Sequence, residues 1–202
     1  APDYTASDRV DIYNDSTGLW FTASLSEGRG NMCTVTMGSK VFFAGGLKSL
    51  GSGILSNRVD IFDASTNQWT TATLTQARRN IVAFALAGKV YFAGGERSFT
   101  AGLSSNRVDI YDPTSNTWSS ANMPTFQTNA GGAVIGDKAY IAGGSFNESL
   151  LATVSVFTAT TTETEEPVQA ESGLKCWPNP AKEVLRIEIP SIKGESRIQL
   201  VS

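Results

Sequence analysis

Residues 80–124 read NIVAFALAGKVYFAGGERSFTAGLSSNRVDIYDPTSNTWSSANMP, and this stretch decides the fold. A strand-like run at 81–86 turns at Ala87-Gly88, rises again through 89–93 and stops at the pair Gly94-Gly95. A polar loop, 96–106, leads to a third run at 107–111, a turn at 112–116 and a last strand around Trp118. Short runs of alternating apolar residues separated by turn formers predict one antiparallel sheet of four strands. Such a sheet is too small to bury both of its faces alone, so it needs neighbours of its own kind.

The chain supplies them at a fixed interval. Trp118 is preceded by Trp69 and Trp20, each 49 residues apart, and Gly94-Gly95 is matched at the same spacing by Gly45-Gly46 and Gly143-Gly144. Asn31, Asn80 and Asn129 keep step, as do RVDIY at 9–13, RVDIF at 58–62 and RVDIY at 107–111. A period near 50 residues holding four strands is the signature of a propeller blade. The glycine doublet, the aromatic two or three residues before it (Phe42, Tyr91, Tyr140), the acidic turn YDPTSNTW and the spaced tryptophan together resemble the kelch repeat, over roughly residues 8–157. The predicted fold is therefore all-β: a partial kelch-type β-propeller within 1–157. Its blades are a partial one at 8–24, complete ones at 31–73 and 80–122, and an incomplete one at 129–157. About three and a quarter blades of strand, where rings close with about four to eight, read as part of a longer protein that begins here in mid-propeller.

Composition narrows the function. The 202 residues are 41% hydrophobic with a net charge of −3, which leaves no basic footprint for nucleic acid. The longest apolar run, 81–87, is too short to cross a bilayer as a helix, so no transmembrane segment is expected. Histidine is absent from the chain, which removes Ser-His-Asp and Cys-His catalysis and any His-ligated metal; no cofactor and no metal are expected. Ala1-Pro2-Asp3 carries no signal-peptide pattern. Cys33 and Cys176 can pair, but Cys33 stands where other copies have Val82 and Gly131, which favours a small buried apolar role.

The repeated residues read as architecture. The doublets mark places where backbone approaches backbone or takes positive φ, and the tryptophans are expected to pack between successive blades. Arg9/Asp11, Arg58/Asp60 and Arg107/Asp109 each project from one strand face and suit contacts between blades. Asp63 and Asp112, with Asn14 in the equivalent place, are turn formers. Leu50-Gly51-Ser52-Gly53 lacks the Lys-Ser/Thr and helix of a phosphate cradle and reads as a flexible loop.

Function is expected on one face. In a four-stranded meander the loops between strands two and three (47–57, 96–106, 145–153) share an end with the blade-to-blade connections (24–30, 74–79, 123–128), and the other end has only tight turns. Long loops on a rigid scaffold are where recognition concentrates, and the kelch resemblance implies a partner on this face. Arg29, Arg78, Arg79, Glu96 and Arg97 gather there. They either hold carboxylates or sugar acids by forked hydrogen bonds, or, for Arg29 and Arg78, brace adjacent blades. Gln127 in the third copy weakens a purely charge-based site.

After Phe157 the chain turns rich in threonine and glutamate, and 158–173 reads as a solvated linker. Beyond it, Trp177-Pro178-Asn179-Pro180-Ala181 followed by the alternating Leu185, Ile187 and Ile189 resembles the opening of the type IX secretion sorting domain, with Trp177 in place of the usual tyrosine. The segment 174–202 is then a truncated β-sandwich. The resemblance implies export across the outer membrane of a Bacteroidetes-type cell through the type IX machinery, and an extracellular or cell-surface location. The favoured reading is a secreted binding module for a protein or glycan. The alternatives are a propeller enzyme of isomerase or oxidase type on a sugar or sugar acid, with Glu96 the candidate base, and a structural part of a surface assembly.

Overall fold

The computed structural model describes residues 6–49, 53–98, 103–147 and 149–159, together with 175–177, 184–188 and 198–201. The chain divides into two compact units, Ala1–Pro167 and Val168–Ser202. Every regular element among the described residues is a strand.

In the first unit, β1 (Arg9–Asn14) and β2 (Leu19–Ser24) form a hairpin. Next come β3 (Cys33–Met37), β4 (Lys40–Ala44), β5 (Arg58–Asp63) and β6 (Gln68–Thr73), hydrogen-bonded in sequence order as one antiparallel sheet. The same order recurs in β7 (Val82–Leu86), β8 (Lys89–Ala93), β9 (Arg107–Asp112) and β10 (Thr117–Asn122). A fourth sheet pairs β11 (Gly131–Ile135), β12 (Lys138–Ala142) and β15 (Val154–Thr158). The small hairpin of β13 (Ser145–Phe146) and β14 (Ser149–Leu150) fills its long loop and was not expected from the sequence.

Strand faces explain the packing. On β8, Val90 and Phe92 point one way and Tyr91 and Ala93 the other, and both faces are covered. Val90, Phe92 and Tyr111 join Phe42, Ala44, Val59 and Ile61 of the second sheet in one core. Phe84, Leu86, Ala93 and Val108 join Ala139 and Ile141 of the fourth in another. A strand buried on both sides reads as a continuous apolar run; the run 81–87 contains β7, with Ile81 in the first core and Val82, Phe84 and Leu86 in the second. Rings bridge the sheets: Phe42 lies 5.6 Å from Tyr111, and Phe84 lies 5.2 Å edge-on to Phe157. β3, β7 and β11 are mutual neighbours in turn, so the sheets stack in a propeller-like row.

The tryptophans differ from one another. Trp69 and Trp118 make their ring contacts within their own sheets, to Phe43 and Phe62 and to Phe92 and Tyr111. Trp118 also lies against the core shared by the second and third sheets. Trp20 rests on Tyr13 and is 69% exposed. That departs from an inter-blade role: among the described residues no sheet covers this face of the β1–β2 hairpin.

Backbone geometry accounts for the other markers. Asn31, Asn80 and Asn129 all have φ between 52° and 54°, a left-handed conformation that asparagine tolerates. In each sheet-to-sheet step the later asparagine's N–H points at the earlier one's carbonyl, at 3.4 Å. Gly94 and Gly95 have φ of +67° and +97°, and the N–H of Gly95 donates to Gln127 O at 2.8 Å. A Cβ on Gly94 would stand 2.3 Å from that carbonyl, and one on Gly95 2.6 Å from Arg79 O. At the far end, Asp63 accepts from Ser65 N–H, Asp112 from Thr114 N–H and Asn14 from Thr17 N–H, so all three are turn formers.

Cys33 is buried and not in a disulfide, its thiol facing Ala44 O at 3.4 Å. Burial pushes its pKa up to about 12, which makes it an inert core residue.

In the second unit, β16 (Lys175–Trp177), β17 (Val184–Glu188) and β18 (Ile198–Val201) form an antiparallel sheet in that order, Trp177 pairing with Arg186. Pro178, Asn179 and Pro180 lie outside the described residues.

Candidate functional site

The repeat separates what holds the blades from what differs between them. Arg29 and Arg78 belong to the first class, their side chains having no exposed surface. Arg29 donates to Asp60 at 2.7 Å and to Phe43 O at 3.2 Å, while Ser26 N–H donates to the other Asp60 oxygen at 3.0 Å. Arg78 pairs with Asp109 and also donates to the carbonyls of Gly94, Arg107 and Phe92. Thr75 N–H donates to Asp109 at 2.9 Å. Each arginine thus ties the incoming connection to the third strand of its sheet. Burial lowers the pKa of Arg78, and the adjacent Asp109 acts the other way. Neither guanidinium lines an open mouth, so a ring of arginines presented to a ligand is corrected in these two members.

The fourth sheet makes the same tie without charge. Gln127 stands at the Arg78 position and Ser155, by strand register, at the Asp109 position: Ala93 pairs with Val108 as Ala142 pairs with Val154. Ser155 donates to Gln127 at 2.7 Å, and Gln127 donates to Gly143 O at 3.1 Å. The reason lies three residues before Gln127. Pro124 occupies the position of Ser26 and Thr75 and has no N–H to offer a carboxylate. A buried aspartate there would lose its second donor, and a buried charge short of hydrogen bonds is costly.

On the loop face the copies diverge. Positions Gly30, Arg79 and Thr128 bridge by backbone to Leu47, Glu96 and Ser145. Only in the third sheet do these carry an ion pair: Arg79 Nε donates to Glu96 Oε2 at 2.8 Å, with Nη2 at 2.7 Å. Asn129 of the next connection donates to the other Glu96 oxygen at 3.3 Å. Both charged side chains are under one-fifth exposed, and Arg97 beside them is exposed. In the second sheet Glu27 meets Lys48 at 2.6 Å and takes the Ser56 hydroxyl. Partial burial raises the Glu27 carboxyl, and the hydrogen bonds from Lys48 and Ser56 outweigh it, leaving it below the ordinary value.

The fourth sheet has no charge at these positions. Phe126 and Phe146 replace Gly28/Ala77 and Lys48/Arg97, and their rings pair at 5.5 Å. Both are 39% exposed. Sequence reading passed over this pair; the available signal was the break in the repeat at two loop-face positions together. A shallow depression bordered by Arg9, Asp11, Trp20 and Phe21 lies on the β1–β2 hairpin.

Two stretches, 28–73 and 77–122, match the Kelch motif, a little under half of the chain. No curated protein matches the sequence. Among solved structures, that of YjhT superposes with a TM-score of 0.62 at 16% identity, over 77% of this chain and 51% of that one. The chain therefore carries kelch repeats in a propeller-like fold and spans about half the length of this structural neighbour.

Proposed function

We propose that this chain is a binding module of a secreted or cell-surface protein, engaging a protein or a glycan through its loop face. The observation that carries the reading is the contrast within the repeat. The Arg29–Asp60 and Arg78–Asp109 braces, the glycine doublets and the turn aspartates recur or are replaced in kind, whereas the loop-face positions hold an acid–base cluster, an ion pair and an aromatic pair in turn. A scaffold held constant beneath variable loops is the arrangement of a recognition surface. Within it, Arg79, Glu96 and Arg97 are proposed to meet the ligand, and Arg29 and Arg78 to position the connections from below.

Export by type IX secretion is part of the proposal and rests on Trp177, Pro178, Asn179 and Pro180 after a Thr/Glu-rich linker. The test is a glycan array together with a pull-down from cell-surface extracts, using the wild-type chain and R79A/E96A. Binding weakened at least tenfold by R79A/E96A is the expected result. Turnover of a sugar acid that E96Q abolishes without loss of binding would replace this reading with an enzymatic one.

A further inference from the structure

We propose that Phe126 and Phe146 form a stacking shelf for a neutral sugar on the loop face of the fourth sheet, which specifies the ligand of the binding face proposed above and rests on that reading. The blade does not need these rings. The second and third sheets make the equivalent tie, Arg29–Asp60 and Arg78–Asp109 where the fourth has Gln127–Ser155, with Gly28/Lys48 and Ala77/Arg97 at the two positions. An aromatic pair that architecture does not require, with each residue 39% exposed, is free to serve a ligand.

The shelf is held in place on both sides. Thr128, two residues after Phe126, exchanges backbone hydrogen bonds of 3.1 and 2.9 Å with Ser145, the neighbour of Phe146. Leu151 N–H then closes the β13–β14 hairpin onto Gly144 O at 2.9 Å. Two Phe rings at 5.5 Å with a tilt of 31° offer an apolar surface against which a sugar ring can stack. Exposed Asn129 and Asn147 and the half-buried Thr125 and Ser145 flank it in sequence, and the one charged residue within two positions of either ring is the acidic Glu148, which disfavours an anionic sugar. Asn129 reaches Glu96, whose charge Arg79 offsets. A small-ligand site obtains orientation from a few polar groups beside an apolar floor, and amides and hydroxyls suit sugar hydroxyls.

A protein partner would need a wider contact than two rings, on the order of 800 Å² per side. Leu150, opposite Ser145 and 90% exposed, is the residue through which such a contact would extend. The repeat itself supplies substitutions that the fold accepts: F126A copies Ala77 and F146R copies Arg97.

The experiment is calorimetric titration of the wild-type chain, F126A, F146R and L150A with neutral gluco-, galacto- and manno-oligosaccharides and with their uronic-acid counterparts, each variant first matched to wild type by circular dichroism. The expected result is binding of a neutral oligosaccharide, weakened at least tenfold by F126A and by F146R and changed less than twofold by L150A. Neutral sugar bound equally by the Phe variants, or only acidic sugars bound, overturns the shelf and leaves the loop-face reading intact. Capture of a surface protein that depends on Leu150 does the same. Absence of any glycan or protein partner overturns both.

Discussion

Replacing the charged tie of the third sheet with the neutral one of the fourth is the sharpest test of how these sheets are held. Arg78 has no exposed side-chain surface, and Asp109 is 2% exposed. Removing one partner of such a pair leaves an uncompensated buried charge, which costs about 3–5 kcal/mol. R78Q and D109S should each lose that much; were the two effects independent, the double variant would lose about 6–10 kcal/mol. Instead R78Q/D109S should lose only about 1–3 kcal/mol, because Gln and Ser bond each other in the fourth sheet and the residual cost is the orphaned N–H of Thr75 together with the Arg78 bonds to Arg107 O and Phe92 O that a glutamine does not replace. Adding T75P removes that donor as Pro124 does, and the triple variant should be no less stable than the double. Urea unfolding followed by circular dichroism gives the cycle, provided the m-values agree. Additive single and double losses, or an R78Q loss within 1 kcal/mol of wild type, would refute the claim that the two side chains act as one buried unit.

Two further outcomes follow from backbone and charge. G95A places a Cβ 2.6 Å from Arg79 O at φ +97°, whereas G88A meets nothing within 4 Å at φ +74°; thermal unfolding should show G88A losing about 1–2 kcal/mol and G95A clearly more. Hydrogen bonds from Lys40, Ser65 and Ser39 hold the Asp63 carboxyl well below the usual carboxylate range. A depressed folded pKa stabilises above the unfolded value and loses that contribution as pH falls through the folded one. Stability should therefore decline on acidification below about pH 4, and D63N should flatten the stability–pH curve there.

The strands of the first unit were legible because their signal is local. Alternation, turn residues and the glycine doublet act within a few positions, and three copies average out the noise of one. The acidic turns were equally readable, since Asp63 and Asp112 bond N–H groups two residues away. The ties were not: Arg29 and Asp60 lie 31 residues apart, and nothing along the chain says that this arginine turns inward while Arg79 meets Glu96 on the loop face. Ser155 as the counterpart of Asp109 is hidden because the fourth sheet has a shorter loop, which breaks the constant interval; only pairing of β12 with β15 restores it. The β13–β14 hairpin is two residues per strand, below what periodicity can detect. Phe126 and Phe146 are 20 residues apart and become a pair only when Thr128 bridges Ser145.

The glycine doublet has an implication for how such a protein changes over generations. The space beside Gly45 is filled by Arg78 O and that beside Gly94 by Gln127 O, each a carbonyl of the following sheet's connection, while among the described residues Gly143 meets only Leu151 O at 3.8 Å. A duplicated segment therefore inherits a constraint from whatever is spliced after it, so substitutions at these sites are judged by the downstream neighbour. Where a junction is packed as at Gly45 and Gly94, one copy can be exchanged for another only if the small residue is kept.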